Sequence, residues 1–211
     1  MKIHRFAALA GALAMLSLTG CIPDFIGPKA EKPVLYLYPE QETAVTVSLE
    51  LDGDLNCAYP ALDSRTWKVT ARPDGALTDE SCREYPYLFW EGELNAKWDF
   101  SSGFVVAGTE TAAFLEEKLA LLGLNDREAA DFITYWLPRM QQNPYNLIAF
   151  QKEAYTDAAR LSITPAPDTL LRIFMAYKPL DKAAAVPEQA LEPAPVRSGF
   201  TVVEWGGCEC Q

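Results

Sequence analysis

Hydrophobic and polar positions alternate along much of the chain, and where alternation stops they recur at helical spacing. Val45, Val47, Leu49 and Leu51 are separated by Thr46, Ser48 and Glu50, the period-two pattern of a half-buried strand. Trp67, Val69 and Ala71 alternate in the same way with Lys68, Thr70 and Arg72. Asp52-Gly53 and Pro73-Asp74-Gly75 follow these runs and read as turns, so two successive antiparallel hairpins are predicted. Ahead of them, Val34-Leu35-Tyr36-Leu37-Tyr38 is apolar throughout and stopped by Pro39, as expected for a strand covered on both faces. Strand pattern continues at 85–90, 104–107, 145–150, 161–164, 169–177 and 200–205; the 169–177 segment is apolar on both faces and is expected to be central.

Between the strands at 104–107 and 145–150 the period changes. Leu115, Leu119 and Leu122 share one helical face, with Thr111 as a cap and Gly123 as a stop. Asn125 and Glu128 have capping-box spacing, and Ala129, Phe132, Ile133, Trp136, Leu137 and Met140 form the apolar stripe of a second helix. Pro138 should kink that helix or end it near Leu137, because it cannot donate to the Thr134 carbonyl. The pattern predicts an α+β domain over residues 33–207: an antiparallel, sandwich-like sheet with two consecutive helices packed on one face or end. Residues 180–197, rich in Ala and Pro, show no period and are expected to form a surface wrap or a functional flap; residues 208–211 read as a C-terminal tail.

The N-terminus has a different character. Lys2 and Arg5 precede an apolar run over 6–18, too short to span a bilayer permanently, and Leu18-Thr19-Gly20-Cys21 has the form of a lipobox. The expectation is a signal peptide over 1–20, lipid attachment (palmitate among the acyl groups) at Cys21, and a tether over 21–32 that holds the domain within about 40 Å of the bilayer at roughly 3.5 Å per residue. The protein is thus expected to be exported and lipid-anchored at the cell membrane or outer membrane, as part of the cell envelope.

Composition then narrows the chemistry. The net charge of −11 becomes more negative when Lys2 and Arg5 leave with the leader, a surface that repels nucleic acid. The single histidine, His4, also lies in the leader. The remaining chain therefore has no Ser-His-Asp or Cys-His nucleophile and no histidine zinc site, and no phosphate-cradling or dinucleotide glycine motif is present. No cofactor is expected. Cys57, Cys82, Cys208 and Cys210 form an even set outside the cytoplasm, which reads first as disulfides. Cys57 and Cys82 each follow a predicted turn and are paired on that basis, closing a loop worth roughly 3–4 kcal/mol. Cys208-Glu209-Cys210 would then form a strained ring, stay reduced or bind a soft metal.

Two constellations invite functional readings. Asp52, Asp54 and Asn56 have calcium-loop spacing, but Cys57 and Asp63 replace the required Gly and Glu, so a turn is preferred and no metal is expected. Glu91, Glu93, Asp99 and Glu204 neighbour Trp90, Trp98 and Trp205, the material of a sugar-cleaving cleft. Carboxylates at strand ends over a tryptophan core explain these residues better than a cleaving cleft does, whereas an exposed binding face of Trp90, Glu91, Trp98, Glu204 and Trp205 is kept as the expected site.

Lys32-Pro33-Val34-Leu35-Tyr36-Leu37-Tyr38-Pro39-Glu40, Tyr87-Leu88-Phe89-Trp90-Glu91-Gly92, Tyr135-Trp136-Leu137-Pro138, Asn143-Pro144-Tyr145 and Glu204-Trp205-Gly206-Gly207 together resemble an uncharacterised family of bacterial secreted proteins and lipoproteins. The resemblance covers nearly everything after the tether and implies no activity. The functional expectation is a non-catalytic binding or scaffolding module for a glycan, peptide or protein partner. The alternative is a histidine-free, carboxylate-based hydrolase of envelope or extracellular polysaccharide that uses Glu91 and Glu204.

Overall fold

The computed structural model describes residues 28–211. The leader, Cys21 and most of the tether lie outside them. The chain runs β1 (Lys29–Tyr38), β2 (Thr43–Leu51), β3 (Gly53–Tyr59), β4 (Thr66–Ala71), β5 (Leu77–Thr78), β6 (Glu84–Tyr85), β7 (Leu88–Leu94), β8 (Phe104–Ala107), α1 (Thr111–Leu121), α2 (Asp126–Met140), β9 (Tyr145–Gln151), α3 (Glu153–Ala158), β10 (Ala159–Thr164), β11 (Thr169–Leu180) and β12 (Thr201–Glu209). Seven strands form one sheet in the order β3-β7-β1-β12-β11-β9-β8, and five form a second in the order β10-β2-β4-β5-β6. The fold is α+β and sandwich-like. The seven-stranded sheet lies in the middle, with the five-stranded sheet against one face and α1 and α2 against the other.

This layering follows from the apolar pattern of the central strands. In β1, Leu35 and Leu37 pack toward the second sheet with Val45, Val47 and Trp67, while Val34 and Tyr36 pack toward the helices with Phe132 and Trp136. β12 divides in the same way: Val202 and Cys208 face the other sheet, Val203 and Trp205 face the helices. Two apolar cores therefore flank one sheet, and strands at its centre need apolar residues on both faces.

Three features depart from the sequence expectation. The Asp52-Gly53 turn does not close a hairpin, because β2 pairs with β4 and β10 whereas β3 pairs with β7 in the other sheet. It is a corner between layers, and it needs Gly53: the backbone has φ 144°, and a Cβ there would sit 2.0 Å from the Glu93 carbonyl oxygen. Second, β11 and β12 pair in parallel. A parallel pair needs a long crossover, which accounts for the irregular segment between them; it runs over the helices, where Ala194 N–H donates to the Leu121 carbonyl at 2.9 Å and Arg197 bonds Glu128 at 3.0 Å. The segment is a wrap. Third, β1 begins at Lys29 and β12 ends at Glu209, so residues assigned to the tether and to the tail belong to the central sheet.

The helices match their sequence signals more closely. Asn125 and Glu128 form a full capping box: the Asn125 side chain accepts from the Glu128 N–H at 2.9 Å, and the Glu128 carboxylate accepts from the Asn125 N–H at 2.9 Å. α2 continues through Pro138 to Met140, and the Gln141 N–H still reaches the Leu137 carbonyl at 2.9 Å. Pro138 stands in the last turn and spares only the Thr134 carbonyl, on a solvent-facing residue, so its cost is too small to end the helix there. Thr111 is the first residue of α1, not its cap; its hydroxyl donates back to the Ala107 carbonyl.

Candidate functional site

The tryptophans do not form an exposed face. Trp90 and Trp205 are 0% exposed and Trp98 is 8% exposed. Trp90 and Trp98 fill the space between the sheets, while Trp205 packs edge-on against Phe132 at 5.2 Å under the helices. The expected binding set is therefore dispersed: Trp90, Glu91, Glu204 and Trp205 divide between both faces of one sheet, because neighbouring strand residues point to opposite faces, and Trp98 lies in the segment between β7 and β8.

Glu204 is likewise 0% exposed and lies in the core between the sheets. Its carboxylate accepts the Arg172 Nε–H at 2.6 Å and the Trp90 indole N–H at 3.2 Å. Arg172 and Glu204 are direct partners in the parallel β11–β12 register, and Arg172 also donates to the Ala159 carbonyl at 2.7 Å. The Tyr155 ring lies 4.9 Å from the guanidinium and stacks on Phe174 at 4.3 Å. Burial first, and the nearby Glu204 carboxylate second, push the Tyr155 hydroxyl well above its ordinary pKa, so it stays protonated. The arrangement is a buried ion pair with its hydrogen bonds met, holding two central strands in register. Glu91 follows Trp90 in β7 and points to the helix side. Glu91 and Glu204 therefore cannot flank one bond.

The sequence motifs converge elsewhere. β1 bulges between Glu31 and Val34 against β12 and between Ala30 and Val34 against β7, and Lys32 sits in the left-handed region at φ 59°. A non-glycine residue there costs about 1–3 kcal/mol and persists only where its surroundings fix it. They do so here. The Lys32 N–H donates to Glu91 Oε1 at 3.2 Å, and the Lys32 ammonium donates to the Tyr87 hydroxyl at 3.2 Å. That ammonium lies 5.0, 5.1 and 5.9 Å from the ring centres of Tyr87, Phe89 and Tyr135. Beneath the bulge, a Cβ on Gly206 would meet the Pro33 ring at 2.9 Å, and one on Gly207 would meet the Met175 carbonyl oxygen at 2.5 Å and the Trp136 indole at 2.8 Å. The two glycines are there to let the Lys-Pro bulge and the α2 tryptophan approach the strand.

Beside the bulge is a cleft of about 290 Å³ lined by Lys29, Glu31, Asn56, Glu91, Tyr135 and Arg139, together with Ala30 and Gly92. Arg139, in the last turn of α2, reaches Glu31 at 3.6 Å, donates to the Tyr135 hydroxyl at 3.1 Å and lies 4.1 Å from the centre of the Tyr135 ring. Desolvation raises the Tyr135 hydroxyl pKa, with Arg139 acting against the rise, so the group is a neutral donor and acceptor at ordinary pH. The cleft thus presents both charge signs and an uncharged hydroxyl on a rigid strand, bulge and helix end. Local pattern could not assemble it, since β1, β3, β7 and α2 each supply one to three residues; the one local signal was a Lys-Pro pair at the start of an otherwise apolar strand.

The other singled-out residues fall outside this cleft. Cys57, on edge strand β3, and Cys82, in the β5–β6 turn, are both exposed free thiols, so the expected bridge is not present. Cys82 is held at φ 62° by a turn in which its N–H donates to the Asp79 carbonyl, and Cys57 adjoins a bulge opposite Glu91, so each backbone is fixed by its own partners. Asp54 and Asn56 lie on extended strand β3, not in an ion-wrapping loop. Asp99 caps Ser101 through a 2.8 Å bond from its N–H, and Glu93 pairs across from Lys29. Among the described residues no helix is long and apolar enough to cross a membrane.

No solved structure and no family model matches the chain. A relative is nevertheless known: the "Uncharacterized protein in bglA 3'region" of Butyrivibrio fibrisolvens is 40% identical over 86 residues, covering 88% of that protein and 39% of this chain. The chain belongs to the family of that Butyrivibrio protein. Membership fixes kinship over less than half of this chain and brings no activity with it.

Proposed function

We propose that the protein is a lipid-anchored, extracytoplasmic binding module of the cell envelope, and that the cleft beside the Lys32 bulge takes a hydrogen-bonding glycan or peptide ligand. The observation that carries this reading is the cleft itself. Five charged or hydroxyl-bearing side chains of mixed sign converge on a space of about 290 Å³, on backbone held in a costly conformation. Strain that the rest of the fold must sustain is a recurrent feature of ligand-binding sites.

The mixed lining suits a ligand of low net charge with many donors and acceptors, such as a glycan chain bearing a short zwitterionic peptide. Separation of Glu91 from the ion-paired Glu204 supports binding over hydrolysis by that pair. With Cys21 acylated, the eight residues leading to Lys29 would keep the cleft within roughly 30 Å of the bilayer at about 3.5 Å per residue.

Titration calorimetry with soluble cell-wall fragments that carry both glycan and peptide tests this. The Glu91→Gln plus Arg139→Ala variant is expected to bind at least tenfold more weakly than the parent, a loss of about 1.4 kcal/mol. Equal affinity of the two proteins would remove the cleft from consideration.

A further inference from the structure

Cys208 and Cys210 stand two residues apart at the end of β12, on the face turned toward the second sheet, with their sulfurs 3.5 Å apart. They are not a loose tail. Cys208 pairs with Ala176 in the β11–β12 register, and the Cys210 N–H donates to the Tyr177 carbonyl at 2.7 Å. The two thiols differ in access: Cys208 is 0% exposed, while Cys210 is partly open.

We propose that this pair is a thiol–disulfide exchange site, with Cys210 the attacking sulfur and Cys208 the resolving one, acting on disulfides of peptides or small thiols. Attack requires an accessible thiolate, and resolution requires a second sulfur already in contact. The side chains divide these roles. The hydrogen-bond contact with Cys208 and then the positive charge of Lys178 hold the Cys210 thiol below its ordinary pKa; burial pushes Cys208 well up. Lys178 lies 4.9 Å from the Phe100 ring, which walls the same corner.

The steps balance without a further reagent. Cys210 thiolate attacks one sulfur of the substrate disulfide, the substrate S–S bond breaks, and one thiolate leaves with Cys210 in a mixed disulfide. Cys208 gives its proton to the departing thiolate and its sulfur attacks that of Cys210. The mixed bond breaks, the second substrate sulfur leaves as a thiolate that takes a proton from water, and a Cys208–Cys210 bond remains. The substrate gains two electrons and the cysteine pair loses them. Two residues along an extended strand separate Cα atoms by roughly 6.7 Å, at the upper limit for a bridged pair, so the bond formed here is readily reopened by other thiols. A permanent staple would not be placed so.

The test uses protein carrying Cys21→Ser, Cys57→Ser and Cys82→Ser, treated with one equivalent of 5,5′-dithiobis(2-nitrobenzoate). Two nitrothiobenzoate ions should be released per chain, leaving a chain two hydrogens lighter by mass and without adduct. Adding Cys208→Ser should leave one released ion and a persistent adduct on Cys210, while Cys210→Ser should slow the reaction at least tenfold. A persistent adduct in the chain that retains both cysteines, or equal rates for the two single variants, would overturn the proposal.

Discussion

The Glu204 carboxylate receives the Arg172 Nε–H at 2.6 Å inside the space between the two sheets, where Glu204 is 0% exposed. Each group is the other's main compensation for lost water, and the Trp90 N–H and Ala159 carbonyl complete the set. Such a pair contributes little net stability relative to apolar residues of the same shape, but either half left alone is costly. Its evident role is registry of the parallel β11–β12 pairing, which brings Gly206 and Gly207 under the bulge.

Arg172→Met should therefore lower unfolding free energy by about 3–5 kcal/mol, because it leaves Glu204 buried without its partner. Combining it with Glu204→Leu should recover most of that loss. Urea unfolding of the single and double variants checks both, and a double variant no more stable than Arg172→Met would contradict the reading of the pair.

Gly207→Ala tests the cradle under the bulge. The added Cβ would lie 2.5 Å from the Met175 carbonyl oxygen, which is backbone and cannot swing aside. The expected cost is about 1–3 kcal/mol, seen as a lower melting temperature. Unchanged stability would mean that β12 and α2 have more room than the structure gives them.

These two sites also show what the chain discloses locally and what it does not. The apolar runs of β1 and β11, the alternation of β2 and β4, and the Asn125–Glu128 box are periodic or short-range, so each is legible from a few consecutive residues. β3 is not, since its Gly53–Tyr59 run is mostly exposed and bulged on a sheet edge, with no apolar face to mark it. Nor is the partnership of Arg172 with Glu204, which arises from a parallel register across 32 positions of sequence. A signal was available: Arg172 and Glu204 each interrupt an apolar stretch near the start of a central strand, and two such charges of opposite sign can meet. The Trp90 and Trp205 neighbourhoods were legible as core, and reading them as a surface gave too much weight to the carboxylates beside them.

Asp79 gives a prediction in pH. Its carboxylate accepts from Ser81, Tyr85 and the Arg83 N–H, which hold its pKa at about 2, below its ordinary value of 3.8. A depressed carboxylate contributes stability that is fully present above the unfolded value and lost as pH falls through the folded one. Asp79→Ala should thus melt below the parent at pH 7, and the gap should narrow between roughly pH 4 and pH 2. Melting curves across that window check it; a gap that stays constant down to pH 2 would show that the carboxylate charge is not what organises the β5–β6 turn.

Hydrogen exchange with and without the soluble glycan-peptide fragments tests the proposed site most directly. Added ligand is expected to slow exchange over residues 29–32 and 91–92 and in the last turn of α2 around Tyr135 and Arg139, with the outer face of the five-stranded sheet unchanged. Protection confined to that outer sheet, with the Lys32 bulge exchanging as before, would contradict it.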